Sequence, residues 1–159
     1  MATAPKKQIR IAAIMHDCGK RYIPKGIKDK PNELTIEEME VMKTHTKLGH
    51  EMLKNVQGDL GVVARNIALH HHEHWRGDGG YWGVPAHTLP LYVNIVSICD
   101  VFCGLIYERP YKPAWPLGEA LKYIKSKAGT QFCPELTRTF ISIVRSNKSV
   151  AALFSGVIS

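Results

Sequence analysis

The sequence predicts an all-α fold. Three observations carry that expectation. Apolar residues recur at helical spacing through several segments, helix-start signals precede two of them, and the one nearly continuous apolar run, residues 91–107, is longer than a buried strand. Composition sets the class: 159 residues, 45% hydrophobic and 22% charged, suffice to bury one full core, so residues 1–159 read as one domain. A formal net charge of +7 favours anionic partners such as phosphate esters or nucleotides. No basic run with interleaved aromatics is present, which argues against nucleic acid. No apolar run approaches the ~20 residues of a membrane span, and no charged start leads into an apolar segment. A cytoplasmic protein without membrane contact is therefore expected. The cysteines Cys18, Cys99, Cys103 and Cys133 form no CxxC pair and are expected to be buried thiols in a reducing compartment.

In chain order, residues 1–8 are a short polar lead. Residues 9–15 are mostly apolar and are expected to be helical, running into His16-Asp17-Cys18-Gly19-Lys20 with Gly19 as the stop. Residues 22–31, with prolines, a glycine and lysines, read as a loop. Thr35, with Glu38 three residues on, forms a capping box that opens a helix to about residue 55. Its apolar face is Met39, Met42, Leu48, Met52 and Leu53; His45 lies inside it, and Gly49 suits a close helix contact. Residues 60–72 form another helix that ends in His70-His71-His72. Gly77, Gly79, Gly80 and Gly83 with Pro85 and Pro90 impose a loop over about 75–89. In the run 91–107 the β-branched content allows a strand, but the length favours a buried helix, with Asp100 as its one acid. Residues 117–127 are expected to be helical, and Pro134 at a first helical position starts the last helix, 135–145. The tail, 146–159, is weakly apolar and is expected to dock loosely.

Four imidazoles and a carboxylate fall within His70-His71-His72-Glu73-His74, a density of costly polar groups that points to a bound partner. His16-Asp17, His45 and Asp100 on other helices strengthen that reading. Imidazole with carboxylate suits a divalent Fe, Mn, Zn or Ni ion. The candidates His16, Asp17, His45, His71, His72 and Asp100 are too many for one tetrahedral zinc, so two divalent ions are the natural count. Adjacent helical residues point about 100° apart, which suits His71 and His72 to neighbouring ions, and Asp17 has two oxygens with which to bridge them. Such a pair promotes in-line displacement at phosphorus, that is, phosphoester hydrolysis. Lys20 could neutralise a non-bridging phosphate oxygen, and Arg109 and Lys112 could hold a further phosphate. His50, His74 and His87 are read as structural, His70 as core-facing or supporting, and Glu73 as orienting a histidine. Cys99 and Cys103, one turn apart, are read as core.

The order of motifs resembles the HD-GYP family. It comprises His16-Asp17-Cys18-Gly19-Lys20, Ile23-Pro24, Lys30-Pro31, Leu34-Thr35, Met42-Lys43-Thr44-His45, His71-His72-Glu73, Leu89-Pro90, Asp100-Val101-Phe102, Arg109-Pro110-Tyr111 and Gly129-Thr130-Gln131-Phe132. The resemblance covers about residues 10–142. It implies an HD-domain helical bundle, a bacterial signalling hydrolase of cyclic di-GMP, and a two- or three-metal centre, usually of Fe or Mn. By motif, the metal ligands would be His16, Asp17, His45, His71, His72 and Asp100, with Asp17 and Lys20 catalytic. Lys20, Arg109 and Lys112 would contact the substrate phosphates. The implied partners are a cyclic dinucleotide substrate and, for assembly, a homodimer or a regulatory partner domain.

Several positions depart from the family pattern. Its loop reads Asp-Gly-x-Gly-Tyr-Pro after the tryptophan, whereas Trp75 is followed here by Arg76-Gly77-Asp78-Gly79-Gly80-Tyr81-Trp82. Gly80 takes the tyrosine place, and Tyr81, one position late, is the expected substrate-facing tyrosine. Cys103 and Cys133 stand where acids are usual, the latter removing an N-cap worth about 1 kcal/mol. Relatives carry a ligand-bearing helix ahead of the His-Asp pair, for which the fifteen residues before His16 leave too little chain. Either the chain is a piece of a longer one or the site is short of ligands, and in the latter case two ions are expected over three. Two rivals follow: a degenerate domain that binds a cyclic dinucleotide or a partner protein without turnover, and a phosphohydrolase for another nucleotide.

Overall fold

The computed structural model describes residues 4–108 and 113–147, so Arg109, Lys112 and most of the expected tail lie outside the described residues. The described regular structure is helical, beside an isolated bridge between Ala128 and Phe132. The helices are α1 (Lys6–Ile14), α2 (Lys25–Lys28), α3 (Ile36–Lys43), α4 (His45–Met52), α5 (Gly58–His70), α6 (Leu91–Ile106), α7 (Leu117–Ser126) and α8 (Pro134–Ser146). Tight 3₁₀ turns occur at Cys18–Tyr22 and Ala86–Thr88. Among the described residues no helix is long and apolar enough to cross a membrane.

α6 organises the interior. Its first half sends Tyr92, Val93 and Val96 into a core shared with Ala12 of α1, Leu53, and Val63, Ala64, Ile67 and Ala68 of α5. Its second half sends Ile98, Phe102, Leu105 and Ile106 into another, with Ala120, Leu121 and Ile124 of α7, Phe132, and Val144 of α8. Fully burying an aliphatic or aromatic side chain contributes roughly 1.5–3 kcal/mol. Packing on both ends therefore outweighs the weak helix preference of the β-branched residues in α6, and the strand alternative is excluded.

The capping box forms as expected. Glu38 N–H donates to Thr35 Oγ1 at 3.2 Å, and Thr35 N–H donates to Glu38 Oε2 at 2.8 Å. Other boundaries differ. α1 begins at Lys6, inside the expected polar lead, and the expected loop 22–31 contains the single turn α2. The expected helix 35–55 is divided at Thr44 into α3 and α4. Around that point Thr44 Oγ1 donates to Val41 O at 2.6 Å and Thr46 Oγ1 to Lys43 O at 2.9 Å, so side chains compete for the carbonyls of the helix ladder.

Gly19 does not stop a helix; α1 has already ended at Ile14. Its role is close approach. A Cβ there would overlap the His45 carbonyl oxygen and stand 2.5 Å from Gly49 N. The expected close contact at Gly49 is present: its Cβ would meet Ala68 Cβ, Cys18 Sγ and Gly19 N, each at 3.4 Å. Two facing glycines thus press α4 onto the turn after His16-Asp17. The cysteines depart in part from expectation. All four are thiols outside any disulfide, as expected, but Cys18 and Cys133 are only half-buried, and Cys99 and Cys103 lie on the exposed face of α6.

Candidate metal centre

Three local turns aim three imidazoles at one point. His16 lies just past α1, His45 opens α4, and His71 caps α5. Each pairs its Nδ1 with a backbone carbonyl three or four residues back: Ala13 O at 2.7 Å, Met42 O at 2.7 Å and Ile67 O at 2.9 Å. A carbonyl only accepts, so Nδ1–H donates and the Nε2 lone pair is turned inward.

Asp17 stands between them. Its Oδ1 is 3.2 Å from His45 Nε2 and 3.6 Å from His71 Nε2. Its Oδ2 is 3.3 Å from His16 Nε2 and 2.5 Å from Lys20 Nζ. Asp100 Oδ1, from α6, is 3.5 Å from His16 Nε2. The donor atoms of Asp17, His45, His71 and His72 all lie within 4.8 Å of one another, as do those of His16, His71 and Asp100. All six sequence-predicted metal-site residues are brought together.

What distinguishes this cluster is a set of buried acceptor atoms turned on one another. Nε2 of His16, His45 and His71 and Oδ1 of Asp17 are buried without a hydrogen-bond partner. Buried acceptors left facing one another cost about 1–3 kcal/mol each. A divalent cation removes the conflict, because imidazole nitrogen and carboxylate oxygen are both ligands for such ions. Ligands about 2.1 Å from an ion and at right angles around it stand roughly 3 Å apart, close to the 3.2–3.6 Å spacings here. The cluster could hold a metal.

Protonation relieves only the His16 corner, where an Nε2–H would face Asp17 and Asp100. Burial opposes charge on His16, but hydrogen bonds to Asp100 and Asp17 and the Asp17 charge overcome it and raise its pKa to about 10. Burial likewise opposes charge on Asp17, yet His16, His45, His71 and Lys20 hold its carboxyl well below the usual range. His72 goes the other way. Burial, then the neighbouring His71, pushes it down to about 2, so it stays neutral and available as a ligand.

The glycine loop closes one side. Glu73, 1% exposed, does not orient a histidine as expected; its Oε1 accepts from Trp82 N–H at 2.8 Å and its Oε2 from Val84 N–H at 2.9 Å. Gly80 packs so tightly on this carboxylate that a Cβ would be 2.6 Å from Glu73 Oε2. Tyr81 lies on His72, ring centroids 4.3 Å apart and planes 31° apart. Burial, with the Asp17 and Asp100 charges, pushes its hydroxyl up to about 12, so it remains a donor. Trp82 Nε1–H donates to Thr46 Oγ1 at 2.9 Å, and Lys47 Nζ is 3.5 Å from the Trp82 ring centroid.

Lys20 sits beside Asp17, and the Tyr81 ring lies over that of His72. His50, His74 and His87 stand apart, their Nδ1 atoms on the carbonyls of Arg65, Asp78 and Trp75. Sequence reasoning missed Thr46 and Trp82. The only signal was adjacency, to His45 and to Tyr81.

A family model described as HD domain matches residues 1–136. The chain belongs to the HD domain family. Curated relatives of this HD domain bear out the expected kinship. It is 42% identical over 126 residues to the cyclic di-GMP phosphodiesterase response regulator RpfG of Xanthomonas campestris pv. campestris, covering 79% of this chain and 33% of that protein. It is 38% identical over 136 residues to a cyclic di-GMP phosphodiesterase of Thermotoga maritima, covering 86% and 37%. To the 3'3'-cGAMP-specific phosphodiesterase 2 of Vibrio cholerae it is 32% identical over 141 residues, covering 89% and 27%. The chain spans about a third of the length of these relatives.

Proposed function

We propose that this HD domain hydrolyses a phosphodiester bond of a cyclic dinucleotide, cyclic di-GMP first among them. His16, Asp17, His45, His71, His72 and Asp100 would hold two divalent ions, Fe or Mn. The observation that carries this is the set of four buried, unpartnered acceptor atoms facing one another. The two oxygens of Asp17 favour a pair: Oδ1 faces His45 and His71 while Oδ2 faces His16.

Bound there, divalent ions supply Lewis acidity at phosphorus and a nucleophile at neutral pH. The chain's own groups do the rest. Asp17 and the Nδ1-anchored histidines fix the site before substrate arrives, so little reorganisation remains. Lys20 Nζ, at the Asp17 edge, meets a non-bridging phosphate oxygen, and the Tyr81 hydroxyl donates from the loop side. Arg109 and Lys112, carried over from the motif resemblance, hold the second phosphate. Hydrolysis adds water across one P–O ester bond, leaving a phosphomonoester and a hydroxyl on an opened dinucleotide.

The test is product analysis of the Mn- or Fe(II)-loaded chain with cyclic di-GMP, 3'3'-cGAMP and linear nucleotides. The linear dinucleotide is the expected product from cyclic di-GMP. Tight binding without turnover would favour the degenerate binder instead, and turnover of a linear nucleotide alone would favour a different substrate.

A further inference from the structure

We infer that Trp82 is a positioning residue whose indole N–H latches the glycine loop to the helix of His45 and so sets where Tyr81 stands over the site. The inference rests on the proposed cyclic dinucleotide phosphodiesterase reading. Three links from Trp82 lead to neighbours of candidate metal ligands. Its Nε1–H donates to Oγ1 of Thr46, which is fully buried and follows His45 directly. Its backbone N–H donates to Glu73, which follows His72 directly. Through the chain it carries Tyr81, whose ring lies 4.3 Å from that of His72.

These links divide the work. Glu73 holds the loop backbone by two N–H groups, Trp82 and Val84, and stands under Gly80. It fixes the loop's shape. Among the hydrogen bonds of the described residues, only the indole bond joins that loop across to α4, where Thr46 is itself tied to the backbone by its bond to Lys43 O. Lys47, one residue further on, stands over the indole face with its Nζ 3.5 Å from the ring centroid. Loss of the indole N–H frees Tyr81 to drift while leaving the acceptor atoms of the metal cluster untouched. A shift of about 1 Å in a group that positions substrate is enough to lower turnover of bound substrate or its capture up to about a hundredfold.

Two kinds of measurement test this. Trp82→Phe keeps an aromatic side chain and removes the N–H; Thr46→Val removes the acceptor at constant shape; Thr46→Ser restores it. With the metal-loaded chain and cyclic di-GMP, KM should rise about tenfold or more in the first two, with kcat falling less than threefold and metal content unchanged. Thr46→Ser should recover KM to within about threefold of wild type, and the Trp82→Phe/Thr46→Val double variant should be no worse than either single variant. Independently of turnover, hydrogen exchange at the Trp82 indole should speed up at least tenfold in Thr46→Val and not in Thr46→Ser. An unchanged KM in Trp82→Phe, or metal lost in step with activity, overturns the positioning role. An unchanged indole exchange rate in Thr46→Val overturns the latch itself. Wild-type protein that hydrolyses no cyclic dinucleotide defeats the parent reading and the positioning role, and does so before any variant is made.

Discussion

At Gly19 a single methyl group would enter the space of the His45 carbonyl oxygen and press on Gly49 N. Gly19→Ala is therefore expected to lose about 1–3 kcal/mol in denaturant melts, as overpacked interiors do, and to weaken metal binding because His45 must move. Gly49→Ala, whose new atom would meet neighbours only at 3.4 Å, should be milder. Asp17→Asn halves the ligand capacity of the group between three imidazoles; it should abolish turnover and lower metal content while far-UV circular dichroism stays helical. His16, Asp17, His71 and His72 were legible because metal-ligand residue types crowd there along the chain. Glu73 was misread for the opposite reason. Its partners Trp82 and Val84 lie nine and eleven residues on, and a carboxylate beside histidines gives no hint that backbone N–H groups will reach it first.

Helices announced themselves where a local rule sufficed. The Thr35–Glu38 box and Pro134 mark starts by chemistry confined to one turn, and α6 was decided by length. Thr35→Ala should cost about 1 kcal/mol of stability, read from thermal or denaturant melts, with metal content unchanged because the box stands at the far end of α3 from His45. The single turn α2 and the division at Thr44 were not legible. The first is too short for any periodicity, and the second depends on side chains reaching carbonyls rather than on a helix breaker.

Across the molecule the candidate ligands come from the end of α1, the start of α4, the end of α5 and the middle of α6, so bound ions would tie four parts of the chain together. A ligand that binds only the folded state, at a hundredfold excess over its Kd, stabilises by about 2.7 kcal/mol. Chelation should lower the melting temperature, and Mn or Fe(II) should restore it. That these segments converge was carried in the sequence only by co-occurring residue types and the motif resemblance, since the packing that assembles them is long-range. The most direct measurement is the metal content of the folded, reconstituted chain by elemental analysis. Two divalent ions per wild-type chain are expected, and fewer in Asp17→Asn; a well-folded wild-type chain that retains no stoichiometric metal would contradict the proposal.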